Sequence, residues 1–136
     1  MIKPIMKSEF FLRLPSEDAG PDDAATGQDL LDTLHEHEHE CVGLAANMIG
    51  VRKRIICVKD GSKSLLMYNP QILEQVNAYQ TSEGCLSLID ERPCTRYRRI
   101  KVEYLDENFV HRIKNFSGYT AEIIQHEIDH CCGIVI

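Results

Sequence analysis

The segment Gln125-His126-Glu127-Ile128-Asp129-His130 constrains this chain more than any other. On a 3.6-residue period His126 and His130 stand one turn apart on the same helical face, so both imidazoles can bind one metal ion. Glu127 sits beside them, where a carboxylate can reach the metal's water without being forced into the coordination shell. Histidines four apart also occur on solvated helices, and the intervening glutamate is what favours the metal reading.

Two ligands do not hold a catalytic metal securely, so a third is needed, with a fourth position left for water. Candidates are few. Cys85, in Glu83-Gly84-Cys85-Leu86-Ser87, stands out because Gly84 permits an unusual backbone conformation and Leu86 and Leu88 bracket the cysteine with apolar cover. A strand cysteine taken alone is more often core than ligand. His35, His37 and His39 alternate with Glu36, Glu38 and Glu40, and only His35 and His39 share a helical face, so that cluster reads as a solvated helix end.

The remaining pattern predicts an α+β fold, with antiparallel strands packed around the C-terminal metal-binding helix. A first helix is expected from about Thr26 to His39, with Leu30, Leu31 and Leu34 as its apolar stripe. The segment Gly43 to Gly50 reads as a loop. Strands are expected at Arg54 to Lys59, Ser64 to Asn69 and Arg99 to Leu105, with extended chain after Pro70. Asp106 to Asn108 reads as a hairpin turn into Val110 to Phe116. The last helix starts near Ser117 and ends at Gly133, which suits a left-handed cap.

With 136 residues and 43% hydrophobic content, one domain over residues 1–136 is expected. The net charge of -6 argues against broad attraction to nucleic acid or anionic membranes. The basic run from Arg92 to Lys101 reads as a solvated strand edge. Met1 to Phe11 has no apolar run long enough for a secretory core, and nothing later approaches the ~18 apolar residues of a membrane span, so a cytoplasmic protein is expected. In that compartment the six cysteines stay reduced, and Cys41, Cys57, Cys94, Cys131 and Cys132 read as ordinary thiols.

Three segments occur in order: Gly43-Leu44-Ala45-Ala46-Asn47-Met48-Ile49-Gly50, then Glu83 to Ser87, then Gln125 to His130. Together they resemble the three signature motifs of the peptide deformylases, a likeness that extends from about Cys41 to Gly133 and includes Arg92 and Arg96. The resemblance implies a metal-dependent hydrolase that removes the N-formyl group from the N-terminal methionine of newly made proteins. It makes Cys85, His126 and His130 the metal ligands, with Fe2+ as the usual ion and Zn2+ or Ni2+ as substitutes. Glu127 is then the group that moves the proton of the attacking water. The backbone amide of Leu86 is a donor to the developing oxyanion.

Formyl-methionyl peptides and nascent chains would be the partners, which implies proximity to the ribosome. Val42, Gly43 and Gly84 would pair with the peptide as an added strand, and Ile123 would line the pocket for methionine's side chain. The sequence departs from the family pattern in three places. Met48 stands where the family has a glutamine that donates to the oxyanion, and a thioether cannot donate. Ile89 replaces a usual proline. The sequence also ends at Ile136, where family members commonly continue with another helix or strand. Met48 motivates an alternative reading, a deformylase-like paralogue that keeps the metal but acts weakly, works on another acylated amine, or serves as a binding protein.

Overall fold

The computed structural model describes residues 1–85 and 88–135, with side chains described for all of these except 88–90. Helix α1 (Glu9–Leu12) is followed by helix α2 (Ala24–Glu36), and strands β1 (Gly43–Ala45), β2 (Ile55–Asp60), β3 (Lys63–Cys85), β4 (Leu88–Leu105) and β5 (His111–Ser117) come next. Helix α3 (Gly118–Cys131) closes the order. The strands form one antiparallel sheet in the order β1-β2-β3-β4-β5. This is the expected α+β class.

Strand β2 is Ile-Ile-Cys-Val at its start, and those four residues are fully buried, which suits a strand covered on both faces. Helix α2 buries Leu30 and Leu34 completely against it, as the apolar stripe requires. The helix ends at Glu36, earlier than expected. From His37 the chain turns sharply, with the amides of Glu40 and Cys41 both donating to the His37 carbonyl, because it must return at once to start β1.

Strands β3 and β4 form one long hairpin where shorter strands were expected. Register shifts lie between Tyr68 and Gln71 and between Ile72 and Glu74, next to Asn69 and Pro70, residues that interrupt a strand pattern in sequence. Asn69 adopts φ 53, and its side-chain amide accepts from the Ala19 amide and donates to the Ala19 carbonyl. Strand β2 covers β3 only through Tyr68, so the part of β3 that reaches Cys85 pairs with β4 on one side and not with β2 on the other.

Helix α3 lies against β1, β2 and β4. Gln125 fixes it to the sheet: its side chain accepts from the Tyr97 amide at 2.8 Å and donates to the Tyr97 carbonyl at 2.8 Å. Gly133, at φ +77, ends the helical run in the left-handed conformation that glycine adopts without penalty. A Cβ there would also collide with the Arg13 carbonyl, so glycine lets the chain after α1 approach closely. Among the described residues no helix is long and apolar enough to cross a membrane.

Candidate metal centre

The end of β3 and one face of α3 bring Cys85, His126 and His130 together, with their ligand-capable atoms all within 4.8 Å of one another. The Nε2 atoms of the two imidazoles are 3.3 Å apart, and Cys85 lies within hydrogen-bonding reach of His126. An ion bound at ~2.1 Å to nitrogen and ~2.3 Å to sulfur in tetrahedral geometry holds its ligand atoms roughly 3.4–3.6 Å apart. The two imidazole nitrogens stand at about that separation, and the thiol lies within 4.8 Å of them. Two imidazole nitrogens facing each other at 3.3 Å can share one proton or one metal ion, and a thiol beside them completes a donor set suited to a borderline-soft divalent cation.

Burial and neighbouring groups push the two imidazoles in opposite directions. Burial lowers the His126 imidazole, but contacts with Cys85 and Glu83 outweigh it and push the group up to about 10. Burial, together with the charge on His126, pushes His130 down to about 3.

Glu127 follows His126 on α3 and is 4% exposed. Burial pushes its carboxyl up to about 7, and its Oε1 is buried without a hydrogen-bond partner. Its Oε2 packs against Gly43, where a Cβ would come within 2.9 Å of it. Gly43 has no side chain at the one place where α3 and β1 press a carboxylate between them.

A groove of about 610 Å³ opens beside these residues. Val42, Gly43, Gly84, Cys85, Ile123, His126 and Glu127 all line it, so every one of those residues singled out in the sequence comes to one place. Leu86 lies outside the described residues. Met48 does not line the groove: it is 1% exposed, and its sulfur accepts from the Ala45 amide at 3.4 Å. His39, with Glu38 and Glu40, borders the groove although the sequence placed that cluster on a solvated helix end, and the early end of α2 is the reason.

Glu83 and Arg96, present in the matched motifs without an assigned role, support His126 from behind. Glu83 Oε1 lies 2.8 Å from His126 Nδ1. Arg96, 4% exposed, donates to both oxygens of Glu83 and, at 2.6 Å, to Asp129. Burial alone would raise the Glu83 carboxyl, but the hydrogen bonds from His126 and Arg96 outweigh it and hold it well below the usual carboxylate range. Glu83 stands two residues before Cys85 on a strand, and that spacing is the signal that could have found it. Asn47 adds a further tie, donating from its side chain to the His130 carbonyl at 2.9 Å.

Comparison with known proteins gives a consistent picture. The family model described as polypeptide deformylase matches residues 6–136. The chain is 51% identical over 136 residues to a peptide deformylase of Clostridium beijerinckii, covering 100% of both chains. It is also similar to the Met-Ala-Ser-bound crystal structure of a class I type b peptide deformylase from Acinetobacter baumannii, with a TM-score of 0.87 and 30% identity over 99% of this chain and 97% of that one. Similarity to the peptide deformylase of Thermotoga maritima reaches a TM-score of 0.89 at 27% identity, over 99% of this chain and 95% of that one.

Proposed function

The chain belongs to the polypeptide deformylase family, whose members are metal-dependent hydrolases, and we propose that its groove removes the formyl group from the N-terminal methionine of new polypeptides. The observation that carries this reading is the meeting of Cys85, His126 and His130 beside a buried carboxylate with an unpaired oxygen. Residues 1–136 act as one deformylase domain, a reading supported by the span of the family match.

Cys85, His126 and His130 hold one divalent ion. Fe2+ is the working metal and Zn2+ or Ni2+ can replace it, consistent with a thiolate and two imidazoles as donors. When bound, such an ion supplies Lewis acidity, acidifying a water molecule and polarising the formyl carbonyl. Glu83 takes the Nδ1 proton of His126 as a hydrogen bond, which leaves Nε2 as the free donor atom.

The peptide enters as an extended strand. Strand β1 is an edge strand, and the part of β3 nearest Cys85 is not covered by β2, so Val42 and Gly43 on one side and Gly84 on the other offer backbone to it. Glu127 accepts the proton of the attacking water and delivers it to the departing amine, and a carboxyl poised near neutrality suits both steps. The Leu86 amide donates to the oxygen that gains negative charge. Ile123 packs against the methionine side chain. The protein works in the cytoplasm on nascent chains, close to the ribosome.

Met48 favours a second reading, an altered or weaker activity on another acylated amine, because a thioether turned to the Ala45 amide gives no donor to an oxyanion. Formate release from formyl-Met-Ala-Ser by iron-loaded protein prepared without air tests the first reading. Turnover that disappears in Glu127→Ala with metal retained is expected. No formate from the parent protein would overturn it.

A further inference from the structure

Two buried polar atoms without a partner among the described residues belong to side chains of residues that touch each other: Asn47 Oδ1 and His130 Nδ1. Both residues are fully buried, and the Asn47 side chain donates to the His130 carbonyl at 2.9 Å. Asn47 stands in the short turn Ala46–Ile49 that follows β1, so it joins the first of the three sequence segments to the last.

Holding the end of α3 does not account for an asparagine at this position. The His130 carbonyl also accepts from the Gly133 amide at 3.1 Å, so it is satisfied without Asn47. An apolar side chain would fill the same space without leaving an amide oxygen buried and unpaired, a state that costs free energy.

The two unpaired atoms have complementary chemistry. His130 Nε2 faces His126 Nε2 at 3.3 Å, which makes it the nitrogen directed at the metal position. A neutral imidazole that ligates through Nε2 carries its proton on Nδ1. A buried N–H of that kind calls for an acceptor, and an amide oxygen is an acceptor only. Glu83 serves His126 in this way, 2.8 Å from its Nδ1, whereas no group among the described residues pairs with His130 Nδ1.

Resting on the metal-centre reading above, we propose that Asn47 is the positioning residue of His130. Its Oδ1 accepts from Nδ1–H, directly or through one water molecule, when the imidazole ligates through Nε2, and its Nδ2 holds the main chain of the same residue. One neutral amide thereby sets both the tautomer and the place of the second imidazole, as Glu83 does for the first.

The test uses the full chain as the parent, as Asn47→Leu, which removes both polar atoms, and as Asn47→Asp, which keeps an acceptor oxygen in a side chain of the same size. Zinc affinity is measured by chelator competition, the Tm of the metal-free protein by thermal melts, and the proton on the His130 ring by NMR of the zinc-loaded protein. Asn47→Leu is expected to bind zinc about tenfold or more weakly, the usual effect of losing a group behind a ligating histidine, and Asn47→Asp to restore most of the affinity. In the parent the His130 Nδ1–H should exchange slowly with solvent; in Asn47→Leu it should exchange faster while the His126 signal stays in place. A role confined to the helix end would lower the metal-free Tm and leave both the zinc affinity, within about twofold, and the His130 proton unmoved, and that result overturns the assignment. A proton found on Nε2 of His130 in the zinc-loaded parent overturns it as well, whether or not Asn47→Leu folds. A parent that binds no zinc overturns the metal-centre reading and this inference with it, whereas unchanged affinity in Asn47→Leu overturns this inference alone.

Discussion

His126 Nδ1 lies 2.8 Å from Glu83 Oε1, and the same carboxylate is gripped by the Arg96 guanidinium. A carboxylate placed behind a ligating imidazole fixes its tautomer and turns the far nitrogen toward the metal. The network is buried and fully engaged, so its value lies in holding His126 in one orientation.

Replacing Glu83 by alanine is therefore expected to weaken metal binding by about 10- to 100-fold, measured by competition with a chelator of known affinity. An unchanged metal affinity would remove Glu83 from the support of the site.

Glycine at position 43 has a specific steric cause. Gly43→Ala places a methyl group 2.7 Å from Ile123 Cγ2 and 2.9 Å from Glu127 Oε2, so α3 must retreat or the carboxylate must swing away. Misplacing a reacting group by about 1 Å can cost on the order of a hundredfold in rate. A fall in kcat of that order with one metal per chain retained is expected, and full activity would show that the contact is relaxed without consequence.

Met48 and Glu127 should separate in kinetics. Glu127→Ala is expected to lose about 10²- to 10⁴-fold in kcat, the usual contribution of a positioned acid–base group, while metal content stays the same. Met48→Gln keeps an acceptor for the Ala45 amide and adds a donor, so a modest gain in kcat is expected. An unchanged kcat at unchanged stability would show that position 48 does not face the reaction.

The stability of the metal-free protein should depend on pH through Glu83. Its carboxyl is held below its ordinary value in the folded chain, so it contributes stability that is present above the unfolded value of ~4.3 and is lost as pH falls toward the folded one. Thermal melts between about pH 6 and pH 3 should show the parent losing Tm more steeply than Glu83→Gln. Parallel slopes would mean that other carboxylates carry the acid limb.

Helix α3 was legible because its apolar residues, its histidines and Gly133 all agree on one period and one end point. Strand β1 was not, since Gly43–Ala45 is too short to carry a pattern and becomes a strand only by pairing with Ile56 to Val58. The length of the β3–β4 hairpin was hidden by Asn69, Pro70 and Asn77, residues disfavoured in strands but housed here at positive φ or beside a register shift. Cys85 was legible through its glycine-flanked motif. Glu83 and Arg96 stood in the matched motifs, but their pairing was not legible, because a buried charged pair looks like two surface residues until the fold brings them together.

The central claim is that one thiolate and two imidazoles share a single cation. Cobalt titration of the metal-free protein tests it most directly, read as the near-ultraviolet thiolate-to-cobalt absorption. One cobalt per chain with the absorption of a single thiolate is expected, and Cys85→Ser should abolish that band while the other cysteines remain. Persistence of the band in Cys85→Ser, or cobalt binding indifferent to His126→Ala and His130→Ala, would contradict the claim.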